Sequence, residues 1–194
     1  DGHHRYETAL KYARDGNTKT DPEQANQFVL MSLIALDDPG LLILPYHRII
    51  RKLDPEMFSQ IRDRIAQVFT VEPLSPDIVS ANPITQIMQA QSGMQPFIGL
   101  MLREPNNRED QSDSCFLSGP NPLFVERYVP SGKEAALRND PNWVLEEVIL
   151  RPLLGDTLPN HIAYTHDPLF AIDEINSGHA QFAFFMNRIP ATVF

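Results

Sequence analysis

His161-Ile162-Ala163-Tyr164-Thr165-His166-Asp167-Pro168 is the stretch on which the fold class turns. Its first half, His161 to Tyr164, is a short apolar and β-prone run of the kind that forms a strand. Its second half pairs Asp167, a helix-capping side chain, with a proline at the first helical position. Leu169, Ile172 and Ile175 follow at helical spacing, and the helix is expected to end near Gly178. A further strand is expected over Phe182 to Met186, where Phe182 and Phe184 alternate across Ala183. Strand, capped helix and strand in succession place the chain in the α/β or α+β class, with mixed sheets flanked by helices.

The same punctuation recurs outward from this stretch. Asp54-Pro55, Ser75-Pro76, Asn82-Pro83 and Asp140-Pro141 repeat the cap-plus-proline signature, which accounts for part of the 17 prolines. Phe58, Ile61, Ile65 and Val68 form a core-facing stripe after Asp54; Val144, Leu145, Val148 and Ile149 do so after Asp140. Further strands are expected over Pro96 to Leu102 and Ser114 to Leu117. Residues 103–113 read as an exposed polar loop and 71–83 as a linker. Upstream, Tyr6, Ala9, Leu10 and Ala13 share one face of a helix over 4–15, which Gly16 ends. The apolar runs Phe28 to Leu36 and Leu41 to Leu44 flank a turn at Asp37-Asp38-Pro39-Gly40 and read as a hairpin of buried strands. Three segments result: a helix-hairpin-helix part over 1–72, a linker with a short helix over 73–95, and an α/β subdomain over 96–194.

A chain of 194 residues, 42% hydrophobic, is long enough to bury a sizeable core. Its net charge of −9 argues against a broad nucleic-acid surface, which needs surplus Lys and Arg. A small phosphorylated ligand needs only one local positive pocket. No apolar run approaches the roughly 18 residues of a membrane span. The single Cys115 forms no internal disulfide, consistent with a cytoplasmic setting, and its strand context suggests a structural thiol. Trp143, Phe182, Phe184 and Phe185 read as core.

Candidate chemistry gathers at Asp1-Gly2-His3-His4-Arg5, at the start of a helix. Backbone N–H groups there lack intrahelical partners and the helix dipole is positive, so an anion such as phosphate is favoured. Gly2 permits close approach, and Arg5 adds a bidentate, permanently charged contact. Glu7 is near enough to orient a His or Arg. The bland alternative is a capped surface helix with solvated histidines. A second group, Leu44-Pro45-Tyr46-His47-Arg48, places His47 and Arg48 just beyond the expected strand, where loop residues often line a site. Its alternative is a solvated basic edge formed by Arg48, Arg51 and Lys52. His166 could face a cleft, although capping accounts for Asp167. Six histidines are present, yet no His-x-x-x-His pair or cysteine pair gives metal-ligand spacing, and no metal site is expected. No Gly-rich phosphate loop is present.

Three stretches carry a resemblance. Asp1-Gly2-His3-His4-Arg5-Tyr6-Glu7-Thr8-Ala9-Leu10, residues 37–48 from Asp37 to Arg48, and Tyr164-Thr165-His166-Asp167 with Gly178 and Ala183 to Asn187 resemble the DUF1015 family of bacterial and archaeal proteins. The resemblance spans nearly the whole chain but only part of the family's length, so an internal piece of a longer protein is expected. Asp1-Gly2-His3-His4-Arg5 is also similar to the phosphate-binding motif of ParB-like CTPases, sulfiredoxins and the archaeal ADP-dependent serine kinase, where it opens a helix against nucleotide phosphates. That likeness implies a ParB/sulfiredoxin-like element at the N-terminus. It also implies nucleotide or phosphate contacts at Asp1, Gly2, His3, His4 and Arg5, with His47 and Arg48 as further candidates. Sulfiredoxin's reactive cysteine has no counterpart here, and no basic helix-turn-helix segment supports DNA partitioning. The expected function is nucleotide or phosphate binding, extending to phosphotransfer onto a small metabolite with Mg²⁺ brought by the nucleotide. The alternatives are a metabolite-sensing module and a structural interaction domain.

Overall fold

A computed structural model describes residues 3–15, 25, 28–35, 38, 40, 44–75, 98–105, 112–132, 137–138 and 140–187. The chain divides into two compact units, one over 1–42 and one over 43–193.

In the first unit, helix α1 (His3–Asp15) forms where the spacing of Tyr6, Ala9, Leu10 and Ala13 predicts it. Ala9, Leu10 and Ala13 are half-buried, while Tyr6 is exposed. The expected end at Gly16 lies outside the described residues. Residues 28–35 correct the hairpin expectation: they form no strand, and Leu30, Leu33 and Ile34 are exposed. An apolar run becomes a buried strand only when a neighbouring edge and a covering layer are supplied, and no described residue supplies them here. The second arm, 41–43, lies outside the described residues. At the turn between them, the Gly40 N–H donates to Asp38 Oδ1 at 2.7 Å.

The second unit is built on one six-stranded sheet in the order β2-β4-β3-β6-β1-β5. Its strands are β1 (His47–Ile50), β2 (Thr70–Pro73), β3 (Ile98–Leu102), β4 (Asp113–Ser118), β5 (Ile162–Thr165) and β6 (Phe182–Phe185). Every neighbouring pair is antiparallel, the α+β form of the expected class. Helices are α2 (Pro55–Val68), α3 (Pro122–Val125), α4 (Pro141–Trp143), α5 (Arg151–Leu154), α6 (Leu158–His161) and α7 (Pro168–Asn176). Asp54, Asp140 and Asp167 cap α2, α4 and α7, each followed by proline, as the sequence predicts. Asn121-Pro122 begins α3 by the same device. The caps expected at Ser75-Pro76 and Asn82-Pro83 precede chain that lies outside the described residues.

Between α4 and α5 the backbone winds as a π-helix, Val144–Leu150, and the Arg151 N–H reaches back to the Glu146 carbonyl. Pro152 supplies the physical reason. It has no N–H for the carbonyl four residues earlier and its ring crowds that position, so the preceding turns widen.

Strands β5 and β6 both run antiparallel to β1, so they are parallel to each other with β1 between them and α7 as the crossover. This split β-α-β arrangement explains why the local reading of residues 161–186 is right about its elements but silent on the strand that separates them. Period-two alternation divides the sheet's side chains between two layers. Ile50, Leu100, Leu117, Phe182 and Phe184 meet Phe58, Ile61, Ile65, Leu145 and Val148 on one face. Ile49, Met101, Phe116, Ala183 and Phe185 meet Ala171 and Ile175 of α7 on the other. Two strands depart from the sequence expectation: β1, which reads as loop, and β2, of which Val71 to Pro73 fall in the expected linker at 71–83.

Phe182 stacks on Phe58 at 4.7 Å and on Phe184 at 5.9 Å between ring centroids. Phe182→Ala is expected to cost about 3–5 kcal/mol, because it removes a fully buried ring stacked between two others. Urea unfolding followed by circular dichroism measures the loss.

Candidate functional site

β1 brings together the polar side chains that the sequence singles out at 46–48. His47 and Arg48 do not lie in a loop beyond a strand; they are the strand, and both are buried. As neighbours along it they point to opposite faces.

Arg48 projects toward the π-helix. Its Nε and one terminal nitrogen donate to Glu146 Oε1 at 3.1 and 2.9 Å. The other terminal nitrogen donates to the Asn142 Oδ1 at 2.7 Å and to the Tyr46 carbonyl at 2.8 Å. Tyr164, directly across the strand pair, lies with its ring under the guanidinium at 5.6 Å. Its hydroxyl donates to Glu146 Oε1 at 3.4 Å, and burial followed by the Glu146 charge raises its pKa. The π-helix thus presents Glu146 to the strand, and α4, just before it, presents Asn142. The guanidinium is committed to four acceptor contacts inside the protein.

His47 projects toward the α7 side, against Phe185 at 5.5 Å. The Met186 N–H donates to its Nδ1 at 3.1 Å. That bond requires the neutral ring with its proton on Nε2. Burial first, then the nearby His166 and Arg48, lower the His47 pKa to about 4, against a small upward pull from Asp167. His166 is exposed; its Nδ1 donates to the Pro45 carbonyl at 2.9 Å, and its ring lies 3.8 Å from Tyr46. Asp167 Oδ1 accepts from the Leu169 and Phe170 N–H groups, the capping role the sequence suggests. Neither the cross-strand neighbours nor Glu146 could be found from spacing, because 98 residues separate Arg48 from Glu146.

At the start of α1, the His3 and His4 rings lie 3.9 Å apart, and His4 Nδ1 is 3.7 Å from Glu7. His4 and Arg5 are exposed. Asp1 and Gly2 lie outside the described residues.

Cys115 occupies β4 as a buried thiol, its pKa raised to about 12 by burial and then by Asp113. It lines an apolar groove of about 800 Å³ with Ile65, Leu100 and Phe182. A thiol held protonated at neutral pH is not a nucleophile there. Among the described residues, no group of three or more His, Cys, Asp or Glu is arranged to hold a metal ion. Among the same residues, no helix is long and apolar enough to cross a membrane.

The fold and these contacts define an α+β domain whose polar residues on β1 are internally paired. A family model described as protein of unknown function, DUF1015, matches residues 1–119. The chain belongs to the DUF1015 family. No curated protein and no solved structure matches it.

Two outcomes test this geometry. Glu146→Ala leaves the buried Arg48 charge without its carboxylate and is expected to cost about 2–3 kcal/mol in urea unfolding. The double variant Arg48→Met, Glu146→Leu should recover most of that loss. For His47, the unfolded chain takes up a proton near pH 6.5 that the folded chain refuses until about pH 4. Stability is therefore fully present above pH 6.5, declines as pH falls from 6.5 to 4, and loses nothing more to this group below that. The total is about 3 kcal/mol. His47→Asn, whose amide oxygen can still accept from Met186, should flatten the decline when unfolding is measured across that range.

Proposed function

We propose that the chain binds a phosphorylated small molecule, with a nucleotide and its Mg²⁺ foremost, at the start of α1. The observation that carries this reading is the composition of the first helical turn. It holds His3, His4 and Arg5 and no acidic residue. Arg5 keeps its charge at the positive end of a helix dipole; beside the Glu7 carboxylate, 3.7 Å from His4, a bound anion would offset that charge further. Arg5 offers a planar, permanently charged fork suited to a phosphate. Gly2 and Asp1 complete the proposed contacts, Gly2 by admitting the ligand to the backbone. The motif's similarity to nucleotide-binding helix starts supports the same ligand class. Arg48 is engaged within its own cluster and His47 is neutral, so the proposed site rests on residues 1–5 alone.

Phosphotransfer to a small metabolite is the reaction such a site would assist, since that chemistry depends mainly on positioning and charge stabilisation. A sensing module would use the same contacts without turnover. The proposed setting is the cytoplasm, with no nucleic-acid partner, in keeping with the net charge of −9.

Isothermal titration with ATP, ADP and CTP, each with Mg²⁺, is expected to show binding to at least one. Arg5→Ala should weaken it by about tenfold or more, the scale of one charge-assisted contact. Absence of heat with all three overturns the reading. Phosphorus NMR with hydroxylated metabolites then separates an enzyme, which consumes the nucleotide, from a sensor, which leaves it intact.

A further inference from the structure

The sheet ends on two unlike edges. β2 carries Glu72 and Pro73, a charge and a residue without an N–H, both of which discourage a further strand. β5, Ile162-Ala163-Tyr164-Thr165, has neither.

The register shows which groups β5 leaves open. The Arg51 N–H donates to the His161 carbonyl at 3.0 Å, so the Ile49–Ala163 and His47–Thr165 pairs also exchange hydrogen bonds. The backbone groups of Ile162 and Tyr164 then face away from β1. The Ile162 N–H is taken by the Leu158 carbonyl. The outward set is therefore the Ile162 carbonyl and both groups of Tyr164, with the His166 N–H next in the alternation. Among the described residues none of these has a partner.

That set is complementary to itself. A two-fold axis beside Tyr164 lets its N–H donate to the Tyr164 carbonyl of a second copy, and the reverse. The same axis sets the His166 N–H opposite the Ile162 carbonyl, twice. Four hydrogen bonds follow, and the odd group, the Ile162 N–H, is the one already used. Charge points the same way. Two chains of net charge −9 repel over most of their surface, but β5 is uncharged. Of the carboxylates beside β5, Glu146 is paired with Arg48 at 2.9 Å and Glu147 with Arg151 at 2.8 Å, while Asp167, beyond His166, is engaged by the first N–H groups of α7. Tyr46 and Tyr164, each half-exposed and meeting edge to face at 6.5 Å, add aromatic surface beside the axis.

We propose that β5 pairs antiparallel with β5 of a second copy, centred on Tyr164, joining two sheets into one. Among the described residues, closed two-fold pairing of this kind leaves the guarded β2 edges at its ends.

Sedimentation equilibrium should give a mass rising with concentration toward twice 22.0 kDa. Tyr164→Pro removes an N–H that β1 does not use, and should hold the chain at monomer mass with its circular dichroism retained. Tyr164→Cys places two thiols at the axis, within disulfide reach for facing strand residues. Because Cys115 is buried, oxidation should yield a covalent dimer through the new thiol, whereas Val71→Cys on the β2 edge should not. The Tyr164→Cys comparison stands even if the proline variant fails to fold. A monomer at all concentrations, a dimer undiminished in folded Tyr164→Pro, or equal cross-linking at Val71→Cys each overturns the proposal. A dimer abolished instead by Leu33→Lys, in the exposed run at 28–35, would assign the interface elsewhere and overturn it too.

Discussion

The contact between Arg48 and Glu146 ties β1, the strand next to the β5 edge of the sheet, to the irregular helix that covers it. β1 has a neighbour on each side, β5 and β6, and a helical layer over each face. A guanidinium in such a place is costly to desolvate unless its donors find acceptors. Glu146, Asn142 and the Tyr46 carbonyl provide them. Glu146 comes from the π-helix that precedes Pro152, Asn142 from α4 just before it, and the carbonyl from the residue ahead of β1. The order of dependence runs from a proline, to a widened turn, to a carboxylate, to a buried cation.

The opposite face of the same strand carries a different polar group under a different rule. His47 is held neutral and accepts a backbone hydrogen bond from the residue following β6. One face of β1 is thus secured by a paired charge and the other by an uncharged ring. Both groups looked like candidates for ligand contact when only their neighbours in sequence were considered. Their burial makes them supports of the sheet, and moves the proposed ligand contacts to the exposed basic turn that opens α1.

What could be read from the residues followed the strength of the local signal. Asp-Pro caps at 54, 140 and 167 give their helices directly, because capping and a fixed proline φ act within one turn. The apolar stripe after Asp54 and the alternation at 182–185 were equally legible, since each reports one buried face. β1 and β2 were missed for the converse reason. His47-Arg48 looks like a solvated edge and Val71 to Pro73 like linker, and only their partners make them strands. Phe28 to Ala35 fails in the other direction, with strand-like composition but no edge or cover among the described residues.

The sequence alone determined the class of fold, the capped helices, most of the sheet and the basic cluster at residues 1–5, because these depend on propensities and periodicities within about a dozen residues. Tertiary structure decided that β1 would stand between β5 and β6, that Arg48 would meet Glu146, and that β5 would be left at an edge. Those outcomes join residues far apart in the chain. Whether a side chain becomes a ligand contact or a buried support is settled by what the folded chain brings against it, which no local pattern encodes.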